Sequence, residues 1–192
     1  MVGANDGVFH AYDTDTGDEL WQRDLEPDPE FDPPSADIKS TAAISASRGL
    51  AIFGTWDHHF YALDVLTGAE AWSHDMGGSI MGSAALDDDA GRVYAPSLGG
   101  KGLCALDLDS GAELWCFREG GPTLSSPAIS GDGKVVVFGT QSGMVYAVDA
   151  ETGEKLWGFE TGGGQVTSSP ALVGDMIYVP AKKGPLYALR TF

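Results

Sequence analysis

The segment Ala105-Leu-Asp-Leu-Asp-Ser-Gly-Ala-Glu-Leu-Trp115 decides the fold, because the chain repeats it. The other copies are Ala11-Tyr-Asp-Thr-Asp-Thr-Gly-Asp-Glu-Leu-Trp21, Ala62-Leu-Asp-Val-Leu-Thr-Gly-Ala-Glu-Ala-Trp72 and Ala147-Val-Asp-Ala-Glu-Thr-Gly-Glu-Lys-Leu-Trp157. The shared pattern is A-x-D-x-x-[TS]-G-x-x-x-W, and successive tryptophans lie 51, 43 and 42 residues apart. A further copy begins at Leu186-Tyr-Ala-Leu. Self-similarity at a period of this size marks a repeat architecture.

Each period has an earlier half. Ser125-Ser-Pro-Ala-Ile and Ser168-Ser-Pro-Ala-Leu match closely, with weaker copies at Ser40-Thr-Ala-Ala-Ile and Gly82-Ser-Ala-Ala-Leu. A β-rich run follows each, at Leu50-Ala-Ile-Phe, Arg92-Val-Tyr-Ala, Val135-Val-Val-Phe and Met176-Ile-Tyr-Val. Gly and Asp turns separate these runs and no helical periodicity intervenes. Four short strands per period predict an all-β protein, a β-propeller built from four-stranded antiparallel blades. The whole chain reads as one propeller domain or propeller fragment. Three complete blades are expected at about residues 38–76, 79–119 and 123–160. Incomplete blades flank them, so about four to four and a half blades form a partial ring or one completed by another chain.

The motif has a physical reading. Asp13, Asp64, Asp107 and Asp149 end the third strand and accept backbone N–H groups in a tight turn. Gly17, Gly68, Gly111 and Gly153 supply positive φ in that turn. Trp21, Trp72, Trp115 and Trp157 follow at a fixed distance. Each is expected to pack on the next blade or across the turn, with the small Ala before the Asp leaving room.

This pattern resembles the pyrroloquinoline-quinone-like (quinoprotein) β-propeller repeat with its tryptophan-docking motif. The likeness covers nearly the whole chain except residues 26–37. The resemblance implies a fold shared by quinone-dependent dehydrogenases, an outer-membrane assembly lipoprotein and sensor domains attached to kinases. It also implies an extracytoplasmic location, while no signal peptide is visible. Family dehydrogenases hold the quinone under two adjacent cysteines, with Ca²⁺ on Glu and Asn side chains. Here Cys104 and Cys116 are twelve positions apart and Asn5 is the single asparagine.

The expectation is therefore a non-catalytic scaffold for a protein or peptide partner, with no catalytic residues, cofactor or metal of its own. The alternatives are a fragment of a quinone-dependent dehydrogenase and a ligand-sensing module of a larger receptor or kinase. Lys and Arg total 11 against 28 Asp and Glu, a net charge of −17. That field repels phosphate backbones and argues against nucleic-acid binding. No apolar run reaches the length of a membrane span.

Trp56, His58 and His59 form the candidate contact patch. Trp56 lies outside the repeat, and His58 stands where other blades place Gly7, Gly102, Gly143 and Gly184. Asp13 to Glu19 superficially suggests a Ca²⁺ loop but reads as a blade turn, because Gly17 interrupts the ligand spacing. The Pro-rich acidic stretch 26–37 predicts an exposed loop. If the turn pairs Leu108 with Ala112, Cys104 faces Cys116. A cross-strand disulfide is then possible, but two small buried thiols are the preferred reading. Free strand edges predict a homodimer in which strand 20–25 of one chain pairs with strand 186–190 of another.

Overall fold

The computed structural model describes residues 1–25 and 36–190. The expected loop at 26–37 therefore lies outside the described residues, except for Ala36 and Asp37.

Among the described residues, eighteen strands form five antiparallel sheets in chain order. The first sheet holds β1 (Val2–Gly3), β2 (Val8–Tyr12) and β3 (Glu19–Asp24). The second holds β4 (Ala43–Ser45), β5 (Leu50–Gly54), β6 (His59–Asp64) and β7 (Glu70–Asp75). The third holds β8 (Ala85–Asp87), β9 (Arg92–Pro96), β10 (Leu103–Asp107) and β11 (Glu113–Phe117). The fourth holds β12 (Ala128–Ile129), β13 (Val135–Gly139), β14 (Met144–Asp149) and β15 (Lys155–Glu160). The last holds β16 (Ala171–Val173), β17 (Met176–Pro180) and β18 (Leu186–Arg190). These are the blades of a propeller. Consecutive first strands β4, β8, β12 and β16 touch one another on the inner side of the arc.

In the three complete blades the second and third strands are largely buried on both faces, because each of these blades is covered on two sides by its neighbours. Leu50–Gly54 is buried throughout. The core accordingly lies between blades: Phe60, Trp72, Val93 and Leu106 belong to one apolar layer, and Tyr94, Leu103, Phe138 and Tyr146 to the next. Phe9 stacks on Phe53 across the first interface, with ring centroids 4.1 Å apart. Polar links join the first strands: Thr41 N–H donates to Ser83 Oγ at 2.8 Å, and Ser83 N–H to Ser126 Oγ at 2.9 Å. Within two blades, Ser40 and Ser125 accept the N–H of Gly54 and Gly139 and donate to the same residues' carbonyls.

The repeated motif makes the interface between blades. Asp13 Oδ1 accepts the N–H groups of Asp15 and Thr16 at 2.9 and 2.8 Å. Asp64 and Asp149 do the same with the residues two and three further on. The hydroxyls of Thr67, Ser110 and Thr152 donate to the same carboxylate oxygens, which explains why Ser110 replaces Thr without loss. The small alanines Ala11, Ala62, Ala105 and Ala147 sit opposite Trp21, Trp72, Trp115 and Trp157.

Beside each of these pairs the register slips by one, leaving Leu20, Ala71, Leu114 and Leu156 as the extra residue of a β-bulge. A bulge bends the strand and increases its twist, re-aiming the following side chain. The indole then reaches the next blade. A Cβ placed on Gly68 would meet Trp21 Cε3 at 2.7 Å; on Gly111 it would meet Trp72 Cε3, and on Gly153 Trp115 Cδ2, each at 2.6 Å. Trp21 Nε1 donates to Val65 O at 3.1 Å, and Trp72 Nε1 to Leu108 O at 3.0 Å. The acceptor is in both cases the residue after the neighbouring motif Asp. At the third interface that position is Ala150, whose carbonyl accepts the Tyr94 hydroxyl at 3.2 Å. Trp115 Nε1 is left without a hydrogen-bond partner among the described residues. Burial pushes the Tyr94 phenol up to about 12.

Gly111 and Gly17 separate turn geometry from docking. Both have positive φ, 71° and 78°, but nothing lies within 4 Å of a Cβ on Gly17. Gly17→Ala should cost about 1 kcal/mol, the left-handed backbone alone. Gly111→Ala should cost about 1–3 kcal/mol more, because the methyl group enters the Trp72 ring. Urea unfolding of the two variants measures this difference, and equal losses would contradict ring seating.

Hydrogen bonds to the charged form hold the motif aspartates below the usual carboxylate range. The largest contributors are the Thr16 N–H for Asp13, the Thr67 hydroxyl for Asp64, the Ser110 hydroxyl for Asp107 and the Thr152 N–H for Asp149. A depressed folded-state pKa contributes stability above the unfolded value of about 3.9, and that stability is lost as pH falls through the folded value. The unfolding midpoint should therefore decline below about pH 4 on account of these groups. The variant Asp64→Asn/Asp107→Asn should be less stable at pH 7 and show a shallower acid decline in urea titrations across pH. An unchanged acid slope would contradict this role.

Candidate functional site

Trp56 and His58 lie in the turn between β5 and β6, and His59 is the first residue of β6. The turn is capped as its counterparts are. Thr55 Oγ1 donates to the Asp57 carboxylate, with the His59 carbonyl 2.8 Å away. Thr140 holds the corresponding turn through Ser142 and Met144. Asp57 is 1% exposed, a buried carboxylate in a surface turn. It also accepts the Tyr61 hydroxyl at 3.5 Å, and the His59 ring meets its backbone carbonyl at 3.0 Å.

His58 has φ +82°, the one non-glycine residue with positive φ among those described. Gly7, Gly102 and Gly143 take the same conformation in their own blades, at φ 82°, 69° and 88°. A non-glycine residue there stores about 1–2 kcal/mol of backbone strain. Beside it, Lys39 Nζ stands 4.1 Å from the centroid of the Trp56 ring. The Trp56 N–H donates to Asp37 O at 2.8 Å, which ties the turn to the segment entering β4. Trp56, His58 and His59 therefore share one turn, joined by Lys39, Asp57 and Tyr61. Sequence reasoning passed over these last three. A Lys two residues after the Pro-rich stretch carries no signal of its own, and Asp57 reads as an ordinary turn residue.

The docking-motif residues are not gathered at one site. They are distributed along the arc, one set at each blade interface, where they hold structure. The Asp13 carboxylate is engaged in capping its turn, and Asp88 accepts Ser45 Oγ from the neighbouring blade at 2.5 Å.

The preferred reading of Cys104 and Cys116 as free thiols is corrected: they form a disulfide. Asp107, not Leu108, makes the turn bond to Ala112, at 2.8 Å. The bulge at Leu114 then recovers the one-residue offset and puts Cys104 opposite Cys116, with Cα atoms 4.0 Å apart. Around the disulfide, Lys101 Nζ lies 2.9 Å from Glu113 Oε2, and Arg118 approaches the other carboxylate oxygen at 3.8 Å. The Lys101 ammonium holds the Glu113 carboxyl below its usual range, and burial, followed by Lys101, lowers His74. No helix among the described residues is long and apolar enough to cross a membrane.

A family model described as "Outer membrane protein assembly factor BamB" matches residues 4–191. No curated protein matches. Many solved structures do. BamB from Moraxella catarrhalis is 23% identical, with a TM-score of 0.78, covering 98% of this chain and 54% of that one. The computationally designed Ika8 protein is 22% identical, with a TM-score of 0.80 and the same two coverages. The quinohemoprotein alcohol dehydrogenase of Comamonas testosteroni is 19% identical, with a TM-score of 0.78, covering 98% of this chain and 39% of that one. The chain thus spans about half the length of the BamB structure it matches. At these identities the solved structures speak for the propeller fold, and the family match over nearly all of the repeats carries the assignment. The chain belongs to the BamB-like family of quinoprotein-type β-propellers.

Proposed function

We propose that the chain is a non-catalytic scaffold that binds a protein or peptide partner through the turn bearing Trp56, His58 and His59. The observation that carries this reading is His58 at φ +82° where three other blades have a glycine of positive φ. Selection for stability alone favours glycine there; a strained imidazole is retained where its side chain is used. The neighbouring Trp56 ring, with Lys39 above it and ion-paired to Asp37 at 3.4 Å, supplies an aromatic surface edged by charged groups. Aromatic side chains of this kind anchor protein interfaces. The family's description as an outer membrane protein assembly factor is consistent with a scaffold.

The second reading is a piece of a quinone-dependent dehydrogenase, favoured by the fold shared with the Comamonas enzyme. One experiment addresses both. A displayed library of random peptides is selected against the full chain, and pyrroloquinoline quinone with Ca²⁺ is titrated separately by Trp fluorescence. The scaffold reading expects enriched peptides whose binding falls at least about tenfold with Trp56→Ala. It should fall also with His58→Gly, a change that itself stabilises the fold by about 1 kcal/mol. Lys134→Ala, on the turn between β12 and β13, should leave binding unchanged. Peptides indifferent to Trp56 and His58, or no enrichment at all, would overturn the proposed surface. Saturable micromolar quinone binding would support the dehydrogenase reading instead.

A further inference from the structure

The disulfide sits among donors that it does not use. Ligand atoms of Cys104, Glu113 and Cys116 all lie within 4.8 Å of one another. His74, outside that group of three, reaches over from β7 of the preceding blade and brings Nε2 to 3.8 Å from Glu113 Oε2. Two sulfurs, a carboxylate and an imidazole are a donor set that suits tetrahedral Zn²⁺. A cation already stands among the polar donors. Lys101 Nζ is 2.9 Å from Glu113 Oε2, 3.3 Å from His74 Nε2 and 2.8 Å from the Asp75 carbonyl. That charge rides on a flexible four-carbon stem, which can swing outward. The side chains of His74, Lys101 and Glu113 are 17%, 25% and 33% exposed, so solvent reaches the cluster from the side of these residues, while Cys104 is buried behind them.

We infer that this cluster is a redox-gated Zn²⁺ site, closed while Cys104 and Cys116 are joined and formed by Cys104, Cys116, Glu113 and His74 once they are reduced. The reductant is a dithiol. Its thiolate attacks the sulfur of the partly buried Cys116, the S–S bond breaks, and the electron pair leaves on Cys104, which takes a proton. The second thiol of the reductant then displaces Cys116 from the mixed disulfide. Two electrons have passed from the dithiol, which departs as its own disulfide, and two protein thiols remain. Zn²⁺ displaces both thiol protons to solvent and binds the two thiolates at about 2.3 Å. The Glu113 carboxylate and the His74 imidazole complete the tetrahedron, and the Lys101 ammonium moves aside. The oxidised sulfurs lack the thiolate charge that the metal needs, so the gate is chemical. The two states also differ in what they join. The disulfide ties β10 to β11 within one blade, whereas the metal also ties them to β7 of the neighbouring blade.

The test uses the full chain, oxidised and phosphine-reduced, with Co²⁺ as spectroscopic probe and Zn²⁺ competed against a chromophoric chelator. Near-UV circular dichroism reports whether the reduced chain stays folded. The expected result is one ion per reduced, folded chain, a thiolate-to-cobalt charge-transfer band, and micromolar or tighter Zn²⁺ affinity. The oxidised chain should bind neither ion at that site, and reoxidation with diamide should expel the metal. His74→Ala and Glu113→Gln should each weaken Zn²⁺ binding at least about tenfold, while Lys101→Met should leave it equal or tighter. Absence of the charge-transfer band on reduction would overturn the inference. So would loss of the fold on reduction, or an affinity unmoved by both His74→Ala and Glu113→Gln.

Discussion

The arc depends on one contact, an indole ring laid on the glycine of the next blade. A propeller blade is too thin to have a core of its own, so its apolar faces must be covered by its neighbours. Flat sheets can slide over one another unless something sets their relative position. The ring sets it twice over. Its face meets a backbone that has no Cβ, as at Trp72 over Gly111. Its Nε1 donates to a carbonyl beside that glycine's turn, as at Leu108. Stacking alone would permit rotation, and the hydrogen bond alone would permit separation. Everything else in the motif serves this contact: the aspartate shapes the turn that presents the glycine, and the alanine opposite the tryptophan leaves space for the ring.

The third interface shows how much variation the arrangement tolerates. Tyr94 takes the Ala150 carbonyl, and Trp115 keeps its seat on Gly153 without that bond. Burial of the ring and its fit to the glycine therefore suffice to retain the geometry. The hydrogen bond adds directional precision at the interfaces that have it. The same economy governs the disulfide, which exists because the bulge before Trp115 restores the register between Cys104 and Cys116. One local irregularity thus aims a tryptophan outward and aligns two cysteines across the blade.

The blades were legible in the sequence because each motif position has a single physical task and the tasks recur in order. Asp, Thr or Ser, Gly and Trp are hard to exchange there, so even four copies declare the turn and its docking partner. The bulge was not legible. Leu20, Leu114 and Leu156 look like ordinary apolar strand positions, yet they are 62%, 48% and 51% exposed, because the extra residue turns them outward. Missing that bulge left the cysteine pairing dependent on a turn register that is off by one. At the candidate site, His58 was visible as a departure from glycine. Lys39 and Asp57 were not, because their roles arise from a cation over a ring and a buried carboxylate that only the folded turn creates.

The most direct test of the central claim is a double-mutant cycle on Trp72 and Gly111, read by urea unfolding. If the ring rests on the glycine, removing it with Trp72→Ala should abolish most of the penalty of Gly111→Ala. The account predicts a coupling energy of about 1 kcal/mol or more, beyond the roughly 0.3–0.5 kcal/mol within which independent sites add. Additive losses from the two substitutions would show that the ring does not rest on Gly111 and would contradict docking as the contact that orders the blades.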